Sequence, residues 1–167
     1  FEHVAGEVNA VRAAVGMMEI SSFAKYAIRG SGASDWLDGL LACRLPVEGR
    51  MTLAPMLNHA GKLIGDFSLA NLGDGEYFIA GSGLAENYHM RWFTQNLPED
   101  GSVEIIAHGA GLVGLSIAGP KSRELLQRMV DDDVSNQAFR FLDIRKLDVG
   151  MAPCLVGRVS FTGDLGY

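Results

Sequence analysis

The sequence predicts an α+β fold, and three observations carry that reading. Short apolar segments of helical and of strand periodicity alternate along the chain. Turn signals are dense, with 21 glycines in 167 residues. No internal repeat and no linker-like run interrupts the pattern, which points to one α+β unit with enough chain to bury a real core.

Each element follows from local pattern. Residues 2–14 read as a helix, with Val4, Val8, Val11 and Val15 forming one apolar stripe. Residues 17–20 and 24–28 read as strands separated by Ser21-Ser22. After the Gly30-Ser31-Gly32 turn, Ser34-Asp35 open a helix to about Ala42, with Trp36, Leu37, Leu40 and Leu41 facing inward. Residues 50–56 and 62–72 form a hairpin around residues 58–61, and residues 76–80 add a third strand after Gly73-Asp74-Gly75. Residues 84–95 are helical; residues 103–107 and 112–117 are strands. Pro120 suits the first position of a helix over 121–129. Residues 140–147 and 153–161 close as strands. The chain starts in mid-element and stops straight after a strand-like run, so it reads as a piece of a longer protein.

Composition narrows the function. A hydrophobic content of 48% and a charged content of 20% describe a globular protein. The net charge of −6, with no Lys/Arg stripe, argues against nucleic acid. No apolar run approaches the roughly 18 residues of a membrane span and no signal peptide opens the chain, so the expected setting is intracellular. Cys43 and Cys154 read as buried free thiols. His3, His59, His89 and His108 form no H-x-x-x-H pair, which disfavours zinc. Asp131-Asp132-Asp133 reads as a solvated loop, and Ser21, Ser22 and Ser116 lack a nucleophile-elbow context. Gly81-Ser82-Gly83 reads as a tight strand-to-helix turn ahead of an anion seat at a helix N-terminus.

One acid stands out. In the segment from Asn58 to Leu69, alternation puts Leu63, Gly65, Phe67 and Leu69 on one face and Lys62, Ile64, Asp66 and Ser68 on the other. Asp66 has apolar residues on either side along the chain and Ile64 on its own face. Such a carboxylate is either solvated at a sheet edge or held in a pocket where its charge has a task. Periodicity alone favours the solvated reading.

A series of segments then resembles the tetrahydrofolate-binding aminomethyltransferase family, which includes the glycine cleavage T-protein. They are Arg12-Ala13-Ala14-Val15-Gly16-Met17, Ser21-Ser22-Phe23-Ala24-Lys25, Leu45-Pro46-Val47-Glu48-Gly49-Arg50, Met56-Leu57-Asn58 and Gly61-Lys62-Leu63-Ile64-Gly65-Asp66. Trp92, Ile117-Ala118-Gly119-Pro120 and Phe161-Thr162-Gly163-Asp164-Leu165-Gly166-Tyr167 continue the series, the last matching the family's Y/F-T-G-E-x-G-Y/F-E. The opening run Phe1-Glu2-x-Val4-x-x-Glu7-x-x-Ala10-Val11-Arg12 resembles the junction where this module follows an FAD-dependent amine oxidase domain, as in dimethylglycine and sarcosine dehydrogenases.

The resemblance implies a folate-binding aminomethyltransferase-like fold, truncated, with mixed or antiparallel sheets and flanking short helices. The cofactors it implies are tetrahydrofolate and, in a domain upstream, FAD. The implied partners are folate, a small amine substrate, and the FAD and C-terminal domains of a longer chain, in the cytoplasm or a mitochondrial matrix. Within the family, the aspartate at the position of Asp66 is the residue given the chemistry. Met56 and Leu57 are placed to line an apolar slot for the pterin, with ordinary core as the alternative for both. Asn58 and Ile64 are further folate-binding candidates that the resemblance implies, and Asp164 and Tyr167 map onto the motif whose acid contacts the pterin ring. Departures from the family are the single acid in Gly65-Asp66, Glu19 in place of Asp, and Asp164 in place of Glu, which shortens the reach by one methylene. A fragment of a free aminomethyltransferase or folate-dependent demethylase is the alternative reading. A non-catalytic folate-binding assembly factor is a third, disfavoured because Val159 to Asp164 lacks that group's K-G-C-Y-x-G-Q run.

Overall fold

Period-two alternation in the middle of the chain builds one five-stranded sheet in the computed structural model, which describes residues 2–167; Phe1, the first residue of the junction-like run, lies outside the described residues. The strands are β1 (Gly16–Glu19), β2 (Ala24–Arg29), β3 (Met51–Leu57), β4 (Leu63–Gly73), β5 (Glu76–Gly81), β6 (Glu104–Ala107), β7 (Leu115–Ala118), β8 (Ile144–Val149) and β9 (Ala152–Gly157). The helices are α1 (Val4–Ala13), α2 (Ala33–Leu40), α3 (Glu86–Gln95) and α4 (Ser122–Gln127). This is the α+β fold the sequence predicts, with antiparallel sheets and short helices.

The chain divides into two compact units, where the sequence suggests one. The residues up to Ile20 join Leu115–Tyr167 in one unit, and Ser21–Gly114 form the other. The cause is a pairing that local pattern cannot reveal: β1 lies antiparallel to β7, Met17 opposite Ile117.

The Ser21–Gly114 unit holds the sheet, in the order β3-β4-β5-β2-β6. The β4–β5 connection is a two-residue turn in which Asp74 and Gly75 both have positive φ, the conformation a tight hairpin demands. On one face of the sheet, Tyr26, Ile28, Ala54, Met56, Phe67, Leu69, Tyr77 and Ile79 are buried with Trp36 and Leu37 of α2 and Phe93 of α3. Leu41, expected on the helix, is extended and bridges Met56. Two buried polar groups in this core find backbone partners: Trp36 Nε1 donates to the Asn96 carbonyl at 2.6 Å and Tyr26 Oη to that of Glu86 at 3.3 Å.

Phe67 organises the centre of that core. Its ring meets His89 edge-on at 4.7 Å between centroids and lies 5.8 Å from Phe93. Gly65 and Gly81 make room for it: a Cβ on either would sit 2.5 Å from a ring carbon of Phe67.

The other unit has its own core of Leu126, Val130, Val134, Phe139, Leu147 and Tyr167. Four expectations are corrected here. The valine stripe of α1 is not core: no residue of that helix is buried and Val4 and Val8 face solvent, although Val11 packs on Gly16. Pro120 does not open the helix. It occupies the second position of a turn closed by Ser122 N–H donating to Gly119 C=O at 3.0 Å, so α4 starts at Ser122 and is shorter than expected. The strand expected over 112–117 starts only at Leu115, after a 3-10 turn at Gly109–Gly111. The strand expected over 140–147 starts at Ile144, because a turn closed by Arg140 N–H on the Asp143 carboxylate precedes it; its partner ends at Gly157.

Replacing Phe67 with alanine deletes the ring that both glycines are cut to admit. Phe67→Ala should lower stability by about 3–5 kcal/mol, read as a shift in denaturant midpoint; a loss under about 1 kcal/mol contradicts the packing account.

Candidate functional site

The hairpin of β3 and β4 carries five of the seven residues singled out from the sequence. Pro55 lies opposite Asp66, Met56 opposite Gly65, and Leu57 opposite Leu63 across a bulge between Met56 and Leu57. The turn is fixed by Asn58, whose side-chain Oδ1 accepts the N–H groups of Ala60 and Lys62, both at 2.9 Å. Asn58 therefore serves the turn, as short amide side chains do.

Asp66 is exposed, between buried Gly65 and buried Phe67. Among the described residues no hydrogen bond or ion pair engages its carboxylate. The alternation read from sequence holds from Gly65 onward, and the solvated position is where the Asp66 side chain sits. At the bulge it breaks, since Leu63, expected with Gly65 and Phe67, is exposed and Ile64, expected with Asp66, packs on the core. Met56 takes the core alternative: it is fully buried on the face opposite Asp66. Ile64 is half-buried and packs against the same core. Leu57 and Leu63 are exposed, so the end of the hairpin nearest Asp66 presents an apolar cross-strand pair to solvent.

Asp164 and Tyr167 belong to the other unit. The Asp164 carboxylate accepts from Thr162 Oγ1 at 2.6 Å. Tyr167 is buried, 5.6 Å from Phe139 between ring centroids, and its Oη accepts from Arg123 Nε at 3.0 Å. Its backbone pairs with Ile117 in both directions at 2.9 Å. These contacts give Tyr167 a structural task.

Sequence reasoning passed over His89. It lies on α3 and is 2% exposed. Nε2 stands 3.3 Å from the Ile64 carbonyl, while Nδ1 is buried without a partner. A carbonyl only accepts, so Nε2 carries a proton. Burial pushes its pKa below the ordinary histidine value, outweighing the opposite pull of the Ile64 hydrogen bond. The available signal was its spacing from Phe93, four residues on and one helical turn away on the same apolar face.

Other polar candidates are structural. Lys25 is buried and donates to the carbonyls of Ser21 at 2.6 Å and Phe23 at 2.9 Å. Gly83 closes a tight turn, since a Cβ there would lie 1.8 Å from the Ser22 carbonyl oxygen. Asp133 accepts from Ser135 N–H at 2.7 Å within an exposed loop. Cys43 and Cys154 are free and half-buried. Among the described residues no group of three His, Cys, Asp or Glu side chains is arranged to hold a metal, and no helix is long and apolar enough to cross a membrane.

The fold is that of the aminomethyltransferases. The glycine cleavage system aminomethyltransferase T of Bartonella henselae superposes with a TM-score of 0.79 over 96% of this chain and 43% of that one, at 20% identity. The chain belongs to the GCVT N-terminal domain family, which matches residues 1–167. It is 33% identical over its whole length to mitochondrial dimethylglycine dehydrogenase of Mus musculus, of which it covers 19%. It is 29% identical to the aminomethyltransferase of Caldanaerobacter subterraneus, of which it covers 45%. The chain thus spans less than half the length of the curated relatives it is compared with here.

The state of His89 gives a pH prediction. Burial disfavours the charged ring in the fold, whereas the unfolded side chain protonates at about pH 6.5. Its contribution to stability is therefore complete above that value and is lost as pH falls through the lowered folded pKa. Ring nitrogen shifts should report an Nε2–H tautomer that titrates below the ordinary histidine value, and His89→Gln should flatten the acid limb of stability. Titration of His89 at the ordinary histidine value contradicts this.

Proposed function

We propose that this chain is the N-terminal part of a folate module, in a longer enzyme whose oxidase half generates the one-carbon unit. In this reading an N-methyl amine such as dimethylglycine or sarcosine is oxidised by an FAD domain to an iminium. Tetrahydrofolate is the acceptor substrate. The methylene carbon bonds to N5 and N10, the carbon–nitrogen bond to the amine breaks, the amine leaves with one proton and a second is released, and 5,10-methylenetetrahydrofolate forms.

The observation that carries the reading is Asp66: an unpartnered, exposed carboxylate on a strand whose neighbouring residues, Gly65 and Phe67, are buried in the core. A carboxylate in that setting accepts hydrogen bonds from N–H groups, takes up the released proton and stabilises positive charge on the transferring carbon. The exposed Leu57 and Leu63 beside it fit the flat apolar face of a pterin, since ligand sites combine apolar walls with a few placed polar groups. Kinship with a dimethylglycine dehydrogenase over the whole chain supports the fused arrangement. Exposed Met17 and Met18 on β1 and Leu115 on β7 offer apolar surface for the rest of such a protein. A free aminomethyltransferase is the second reading, supported by the match over the whole chain to one.

The test is calorimetric titration of tetrahydrofolate into the full-length protein and its Asp66→Asn variant, with an assay for methylenetetrahydrofolate. Binding should survive in Asp66→Asn while transfer falls about 100- to 10,000-fold. Absence of folate binding in both proteins, or transfer unchanged in the variant, contradicts the proposal.

A further inference from the structure

We propose that His89 is a positioning residue for Asp66: its imidazole stands in for the missing neighbour strand along the stretch of β4 that carries the carboxylate. The inference rests on the assignment of Asp66 to the chemistry.

Strand β4 has two neighbours over most of its length, but not at this end. The β4–β5 ladder begins at Ser68 opposite Ala80, whereas β3 continues alongside β4 through Asp66 and Gly65. The Pro55 carbonyl accepts from Ala42 N–H at 2.8 Å, so it points away from β4. Proline also has no N–H to give. The Pro55–Asp66 pair is therefore a non-hydrogen-bonded one, and alternation makes Met56–Gly65 the hydrogen-bonded pair. It follows that the backbone groups of Ile64 and Asp66 point to the side where β5 has ended. His89 supplies a donor there, Nε2 to the Ile64 carbonyl at 3.3 Å.

The same ring meets Phe67 edge-on at 4.7 Å. Gly65 leaves room for it, since a Cβ there would lie 3.0 Å from Nε2. Residues 64 and 67, on either side of Asp66, are thus both engaged by one side chain of α3, leaving Asp66 free to face outward.

A purely structural role predicts a different residue. Nδ1 is buried and has no partner, a defect that costs on the scale of a lost hydrogen bond. Leucine or phenylalanine would fill the space without it. What they cannot supply is the N–H toward Ile64.

The test compares His89→Phe, which keeps an aromatic edge on Phe67 but removes the donor, with His89→Gln, whose amide reaches the position of Nε2. Both are made in the full-length protein, alone and together with Asp66→Asn. His89→Phe should lower kcat for one-carbon transfer about 10- to 100-fold, the scale of a small misplacement of a reacting group. Its KM for tetrahydrofolate should stay within about twofold and its Tm should not fall. His89→Gln should restore most of kcat, and His89→Phe should add no further loss to Asp66→Asn. If His89→Phe does not fold, His89→Gln carries the test: kcat near the parent value supports the role, and a loss as deep as that of Asp66→Asn overturns it.

Unchanged kcat in folded His89→Phe overturns the positioning role while Asp66→Asn still reports on the site. Transfer left intact by Asp66→Asn overturns both.

Discussion

The packing of Phe67 between two glycines is the constraint on which the rest of the Ser21–Gly114 unit depends. A phenylalanine ring removed from water contributes about 2–3 kcal/mol, and this one is buried against His89 and Phe93. Its seat exists only because Gly65 and Gly81 lack side chains. That fit fixes the register of β4. A slip by one residue would turn Phe67 to solvent and bring Asp66 into the core, where an uncompensated charge is costly. The outward direction of the carboxylate is thus set by the aromatic ring beside it.

The proposed role of Asp66 draws on this arrangement. An aspartate on a loop would have to be ordered each time a substrate arrived. Here the strand on either side is held, by Pro55 and Met56 across the β3 pairing and by the core below. The ordering entropy is met during folding, which leaves less to lose at the reacting centre. Exposure has its own use, because the carboxylate keeps its acceptor capacity for an incoming N–H group instead of spending it on a structural partner.

The sequence made some of this legible and concealed the rest, for identifiable reasons. The hairpin and the faces of β4 from Gly65 to Leu69 were readable because period-two alternation is local and the 58–61 turn is marked by its own residue types. Leu63 and Ile64 departed from it because a bulge has no local signature. Met56 kept two readings, slot and core, for the lack of one fact: on a strand covered on one side, only the register decides which apolar residue is core and which lines a surface. The α1 stripe misled because amphipathic spacing records a capacity for burial, and this helix buries none of its residues. The division into two units depends on β1 meeting β7 across about a hundred residues, a pairing without a local signature. His89 escaped notice because a lone histidine suggests a metal ligand or nothing. Its importance lies in a backbone carbonyl 25 residues away in sequence, exposed by the early end of β5.

The central claim is that the Phe67 seat aims Asp66 at the nitrogens of a bound folate. The direct measurement is a crystal structure of the full-length protein with tetrahydrofolate bound. The account predicts an Asp66 carboxylate oxygen within hydrogen-bond reach of N5 or N10, about 2.6–3.2 Å, with the β4 backbone unmoved. A folate bound elsewhere, with Asp66 still in open solvent, would contradict it.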